Sequence, residues 1–194
     1  WDADAKVAQS KSAAAAVADA VRPDGSTRLL DYGGGTGLLL QFLAPRVGSS
    51  TLADASAGMR AVAAGKVASG VLPASTRIWE LNLDEDEPPA EQFDLITVVL
   101  ALHHVTDVPR VLTRLGSMLA PGGHLCVIDL EAEDGSFHGE GAEVAHGFDP
   151  ATLDMALDAA GLTATYRHGI YEIDRDSRPY PLFLAVCTRP EPGA

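Results

Sequence analysis

Short apolar runs alternate with amphipathic stretches along this chain, and the alternation predicts its elements. Residues 6–21 are alanine-rich with Val7, Ala14, Val17 and Val21 on one face, which predicts a helix. Residues 28–32 predict a first strand, followed by a glycine cluster and a helical run over 38–43. A second strand is expected over 50–54, then a helix over 57–67 with Met59, Val62, Ala63 and Val67 on one stripe. Residues 76–81 predict a third strand. Residues 95–100 predict a fourth, apolar on both faces as a central parallel strand requires. From Val108, Val111 and Leu112 to Leu115, Met118 and Leu119 runs a 3.6-period stripe, which Pro121-Gly122-Gly123 is expected to stop. A fifth strand follows over 125–130. Asp149-Pro150 supplies an N-cap and a first helical residue, Leu153, Ala156, Leu157 and Ala160 a buried face, and Gly161 an end. Residues 163–173 and 182–187 predict two closing strands joined by a polar loop.

Five β/α alternations imply an α/β fold: a mostly parallel, seven-stranded, Rossmann-like sheet between two helical layers. The last two strands have no helix between them, so the final one must run antiparallel. No repeat or internal linker divides the 194 residues, so one domain is expected. Ligands of such sheets bind beyond the carboxyl ends of the strands, which narrows the search for chemistry.

Composition removes several function classes. Fourteen basic against 27 acidic residues leave a net charge of −13, which disfavours a phosphate backbone or an anionic membrane as partner. Cys126 and Cys187 each sit in an apolar run and read as core residues in a reducing, cytoplasmic compartment rather than as a disulfide frame. The apolar runs are far shorter than the roughly 20 residues a bilayer span needs, and no secretory leader is read, so no membrane partner is expected.

The first strand ends in Asp31-Tyr32-Gly33-Gly34-Gly35-Thr36-Gly37. Such a turn lets a ligand approach the backbone closely. The dinucleotide register Gly-x-Gly-x-x-Gly fails from either start, because Leu38 or Leu40 stands in the third place. The Asp31 carboxylate would repel a pyrophosphate but suits a cationic or ammonium-bearing ligand. Asp54 ends the second strand, where a carboxylate can take both hydroxyls of a ribose or instead cap the next helix. Met59, one turn on, is placed either to cover an adenine or to fill core. Asn82 and the Leu83 amide, after the third strand, can meet the edge of a purine. After the fourth strand stand His103 and His104, whose rings are expected to face opposite ways, with one available as proton acceptor or else serving packing or helix capping.

These motifs, with Phe93-Asp94-Leu95 leading to Leu102-His103-His104-Val105 and with Leu119-x-Pro121-Gly122-Gly123-x-Leu125, resemble class I S-adenosylmethionine-dependent methyltransferases. The likeness is strongest to the small-molecule type 11/12 group and covers residues 28–130. It implies a Rossmann-like methyltransferase fold with S-adenosylmethionine as cofactor and a small molecule as acceptor. It places Gly33, Gly34, Gly35 and Gly37 at the methionine part and Asp31 near its ammonium. Asp54 would hold the ribose, Ala55 and Met59 the adenine face, and Asn82 and Leu83 its edge, with the Leu100 carbonyl near the amino group. Asn82 departs from the aspartate usual there. The Asn/Asp-Pro-Pro-aromatic motif of nucleic-acid amino methyltransferases is absent.

By the same resemblance, residues 1–22 form a cap helix, Trp1 included, over the cofactor core of 28–130. Residues 131–148 show no clear periodicity, and their length, rather than the resemblance, leads to the expectation of a substrate or lid loop there. Within it Glu131, Phe137, His138 and His146 are the expected substrate-side cluster, His138 being a third candidate base beside His103 and His104. The spacing matches no metal signature, so no metal ligand set is expected. Three other readings stay open: a binding module of the same fold without transfer, a nicotinamide-dependent oxidoreductase, and a protein or RNA methyltransferase, which needs a docking surface the sequence does not show. The acceptor's nucleophilic atom and the oligomeric state are not legible.

Overall fold

The computed structural model describes residues 2–138 and 144–189. Seven strands form one sheet in the order β3-β2-β1-β4-β5-β7-β6. Strands β1 (Arg28–Tyr32), β2 (Ser49–Asp54), β3 (Arg77–Glu80), β4 (Phe93–Val99) and β5 (Leu119–Leu130) run parallel. β7 (Arg178–Thr188) pairs antiparallel with both β5 and β6 (Thr163–Arg175). The strand order reverses between β1 and β4, and the crevice at their carboxyl ends is where this topology puts a ligand.

Side-chain alternation sorts the core to the two faces of the sheet. On one face Leu29, Leu52, Leu95, Cys126 and Ile128 pack against α1 (Asp4–Val21) and α2 (Leu38–Leu43), with Ala63 of α3 (Ala57–Ala68). On the other, Leu30, Ile96, Val98, Leu125 and Val127 meet α4 (Val108–Ser117) and α5 (Pro150–Ala159). Cys126 and Cys187 are free and buried in opposite layers. Capping fixes where α4 and α5 begin: Asp107 accepts from the Arg110 amide, and Asp149 from the Thr152 amide at 3.0 Å. Among the described residues, no helix is long and apolar enough to cross a membrane.

Three boundaries differ from the sequence reading. α4 stops at Ser117, and Pro121-Gly122-Gly123 lies inside β5, because Phe93 already pairs with Leu119. The fourth strand ends at Val99, since Leu100 takes a left-handed φ of 50°. The closing hairpin has no polar loop. Its strands run on to Arg175 and from Arg178, joined at Asp176 and Ser177, both with positive φ as a two-residue turn requires.

Candidate active site

The glycine turn after β1 is folded by its neighbours. The amides of Gly33 and Gly34 donate to the Ala53 carbonyl at 2.8 and 3.2 Å, and the Gly35 amide donates to Asp54 Oδ2 at 2.8 Å. Gly33 has φ +68°, and a Cβ there would lie 2.5 Å from the Ala101 Cβ. Gly35, at φ +56°, faces open space. Gly37, also at positive φ, precedes α2 and backs onto Leu72. The turn separates two cavities of about 230 and 590 Å³ that share Gly33, Gly35, Met59 and Leu100. Together they fall within the size of small-molecule sites.

Asp31 and Gly34 line the first cavity. Asp31 is 1% exposed; its Oδ1 accepts from the Thr97 hydroxyl at 2.8 Å, while Oδ2 is buried without a partner among the described residues. Burial pushes this carboxyl up to about 7; the Thr97 hydrogen bond opposes the shift and the Asp54 charge adds to it. The orphaned oxygen lies beside Gly34, where a Cβ would sit 2.7 Å from it. A cationic group in the cavity would supply the missing partner.

Asp54, Ala55 and Asn82 line the second cavity. Asp54 Oδ1 accepts from the Ser56 amide at 2.8 Å. With Oδ2 on Gly35, each oxygen keeps a lone pair for a further donor. Ser56, not Asp54, is the N-cap of α3. Asn82 Oδ1 accepts from the Asp84 amide. Leu83 is a correction to the sequence reading: its side chain is fully buried and its amide donates to Tyr32 Oη at 2.9 Å, leaving nothing for a purine. Tyr32, which sequence reasoning missed, lines the cavity instead. Leu100 lines both cavities, and its amide donates to the Ile128 carbonyl.

Asp2, just before α1, and Lys6, Gln9 and Ser10 of α1 also line the first cavity. Asp2 bridges Lys66 at 2.6 Å and accepts from the Thr36 hydroxyl at 2.9 Å. Burial raises the Asp2 carboxyl, but these two partners outweigh it and hold it below its ordinary range. Trp1 lies outside the described residues.

His103 and His104 do not face opposite ways. They belong to a 3-10 turn, Leu102–His104, rather than to a strand, and their ring centroids are 4.1 Å apart. His138 joins them, its centroid 4.9 Å from His103 and 5.5 Å from His104. His103 is 2% exposed, with Nδ1 2.6 Å from Oδ1 of the fully buried Asp129. The His103 amide donates to Asp129 Oδ2 at 3.2 Å. This histidine–carboxylate pair was not read from the sequence, although Asp129 is the penultimate residue of a buried strand. His104 lines the second cavity. Burial first, then His103 and His138, push its imidazole below the ordinary range. His138 is lowered too, by burial, then by His103 and Arg175. Both shifts favour the neutral imidazole, the form that can accept a proton.

The expected cluster on the 131–148 loop is dispersed. Glu131 turns to β6, where it accepts from the Gly169 amide and pairs with His168 Nδ1, both at 3.2 Å. His146 packs on Gly135, and Phe137 lies between Tyr180 and Arg175. Backbone bonds pin the loop's two ends together: the Ala132 amide donates to the Phe148 carbonyl and the Glu133 amide to that of His146. Only Phe137 and His138 stay adjacent, their centroids 4.8 Å apart. Residues 139–143 lie outside the described residues.

A family model described as a methyltransferase domain matches residues 5–169. An uncharacterised methyltransferase of Mycobacterium tuberculosis is 35% identical over 113 residues, covering 58% of this chain and 55% of that one. A ubiquinone/menaquinone biosynthesis C-methyltransferase of Vibrio parahaemolyticus is 33% identical over 105 residues, covering 53% and 40%. The chain thus matches about half the length of these relatives. Among solved structures, the S-adenosylmethionine-bound amino pentose methyltransferase CalS10 of Micromonospora echinaspora superposes with a TM-score of 0.67 at 23% identity, over 92% of each chain. At that identity the likeness is one of fold.

Proposed function

Because the chain belongs to the methyltransferase-domain family of class I S-adenosylmethionine-dependent enzymes, we propose that it moves a methyl group from that cofactor to a small-molecule acceptor. The observation that carries this reading is the unpartnered Asp31 oxygen, buried against the first cavity, with Asp54 lining the second cavity across the glycine turn. A ligand with an ammonium at one end and a vicinal diol further along answers both carboxylates; a pyrophosphate answers neither. The residues present therefore fit the cofactor.

Bound there, S-adenosylmethionine supplies a methyl group on a sulfonium that is already an activated leaving group. The chain's part is to bind, align and exclude water. Asp31 would hold the ammonium, Asp54 the ribose hydroxyls, and Met59, Ala55 and Asn82 the base. The open backbone at Gly35 lets the ligand pass from one cavity to the other. α1 and its Asp2–Lys66 contact would shield it from solvent. His104, neutral and cavity-facing, would take a proton from the acceptor, with His103 and Asp129 fixing the ring beside it.

Cavity size and the net charge of −13 favour a small acceptor over a nucleic acid, and the reduced, buried thiols fit a cytoplasmic setting. The test is formation of S-adenosylhomocysteine across a panel of small hydroxyl, amine, thiol and activated-carbon acceptors. Turnover with any of them supports the proposal. Tight cofactor binding with no turnover across the panel would favour the non-catalytic binding module.

A further inference from the structure

Proton transfer needs one imidazole, yet three converge. His103, His104 and His138 each offer a ring nitrogen, and these atoms lie within 4.8 Å of one another. His103 Nδ1 is committed to Asp129, which leaves Nε2 to carry its free lone pair. That is the outer carboxylate support found behind histidine ligands in metal sites. His138 Nε2 is buried with no hydrogen-bond partner among the described residues. A polar atom left so is costly unless something outside the protein completes it.

We propose that His103, His104 and His138 form a binding site for a borderline divalent transition cation, Zn²⁺ foremost. The donor set decides the class of ion. Three imidazole nitrogens with no carboxylate among them suit Zn²⁺, Co²⁺, Ni²⁺ or Cu²⁺ and not the oxygen-seeking Mg²⁺ or Ca²⁺. Nitrogens bound at about 2.0–2.1 Å to one tetrahedral ion stand roughly 3.4 Å apart. The present set closes to that spacing by rotation of His104, which is exposed, and His138, which is half-buried, while Asp129 holds His103 in place. Three protein ligands leave a fourth position, and His104 also lines the second cavity. That an oxygen or sulfur of the acceptor fills this position rests on the methyl-transfer reading, and with the ion bound it is the cation, in place of His104 as base, that would ease loss of the acceptor's proton. The ion site itself does not rest on that reading.

The experiment is calorimetric titration of chelator-treated, tag-free protein with ZnCl₂ at pH 7.5, alongside the visible spectrum of the Co²⁺-loaded form. The expected result is one site per chain and four-coordinate Co²⁺ bands. Affinity should fall roughly 10–100-fold or more in His138→Ala and in His104→Ala, and stay unchanged in His124→Ala. His138→Ala alters a surface loop, so its fold is expected to survive, and circular dichroism checks this. No binding by the wild type, or equal binding by both ligand variants, overturns the proposal. S-adenosylmethionine is titrated into the same samples. Zn²⁺ binding without cofactor binding keeps the metal site and removes the proposed activity, and the reverse result does the opposite.

Discussion

Replacing Asp31 with Asn probes the buried carboxylate in two independent ways. Burial raises the Asp31 carboxyl from 3.8 to about 7, and at about 1.4 kcal/mol per pKa unit this corresponds to about 4 kcal/mol, an upper limit on the penalty. Below pH 4 both folded and unfolded chains hold the proton, and there is no penalty. Between pH 4 and 7 the unfolded chain ionises first, so wild-type stability falls as pH rises, and the loss is complete above 7. Asp31→Asn lacks this group. Urea unfolding should therefore show the variant gaining on the wild type between pH 4.5 and 8, by up to about 4 kcal/mol. Cofactor binding must show the converse linkage. A cation partnering Asp31 favours the ionised form, so the wild type should release a proton on binding S-adenosylmethionine. Its Kd should weaken up to about tenfold from pH 7 to pH 6, whereas Asp31→Asn should bind weakly and without this dependence. Calorimetry in two buffers of different ionisation enthalpy counts the proton. A stability difference independent of pH, together with no proton release, would refute the reasoning.

Other outcomes follow from the same geometry. Gly34→Ala places a Cβ 2.7 Å from Asp31 Oδ2 and 2.9 Å from Leu52 Cγ, and should cost about 1–3 kcal/mol in urea unfolding. Gly35→Ala meets no atom within 4 Å and should cost only about 1 kcal/mol for its positive φ, yet lose cofactor affinity because the methyl group enters the cavity; equal effects of the two variants on stability would contradict this. Lys66→Met frees Asp2 and the start of α1, and should weaken cofactor binding roughly two- to fivefold by calorimetry. His103→Leu strips the buried Asp129 of its imidazole partner and should cost about 1–3 kcal/mol; an unchanged urea midpoint would mean that backbone amides alone satisfy that carboxylate.

The sheet was legible because burial on both faces leaves a period-two or continuous apolar pattern, and because Asp149-Pro150 and Gly161 mark helix ends chemically. That Asp31, Asp54 and the glycine turn line one crevice was legible because the strand ends point there. Leu83 was misread because its amide is claimed by a tyrosine 51 residues away, a pairing no local pattern encodes. The histidines were misread for a related reason: strand alternation was applied where Leu100, with its left-handed φ, had already ended the strand and a 3-10 turn had begun. The loop cluster failed because backbone pairing between 132–133 and 146–148, and not side-chain chemistry, decides where Glu131 and His146 go.

The central claim is that the crevice beyond β1, β2 and β4 takes a sulfonium nucleoside and rejects a dinucleotide. Parallel titrations of the wild-type protein with S-adenosylmethionine and with NADH at pH 7.5 test it most directly. One-site binding of the first, lost in Asp54→Ala, with no heat from the second, is the expected result. Binding of NADH, or indifference to S-adenosylmethionine, would contradict the account.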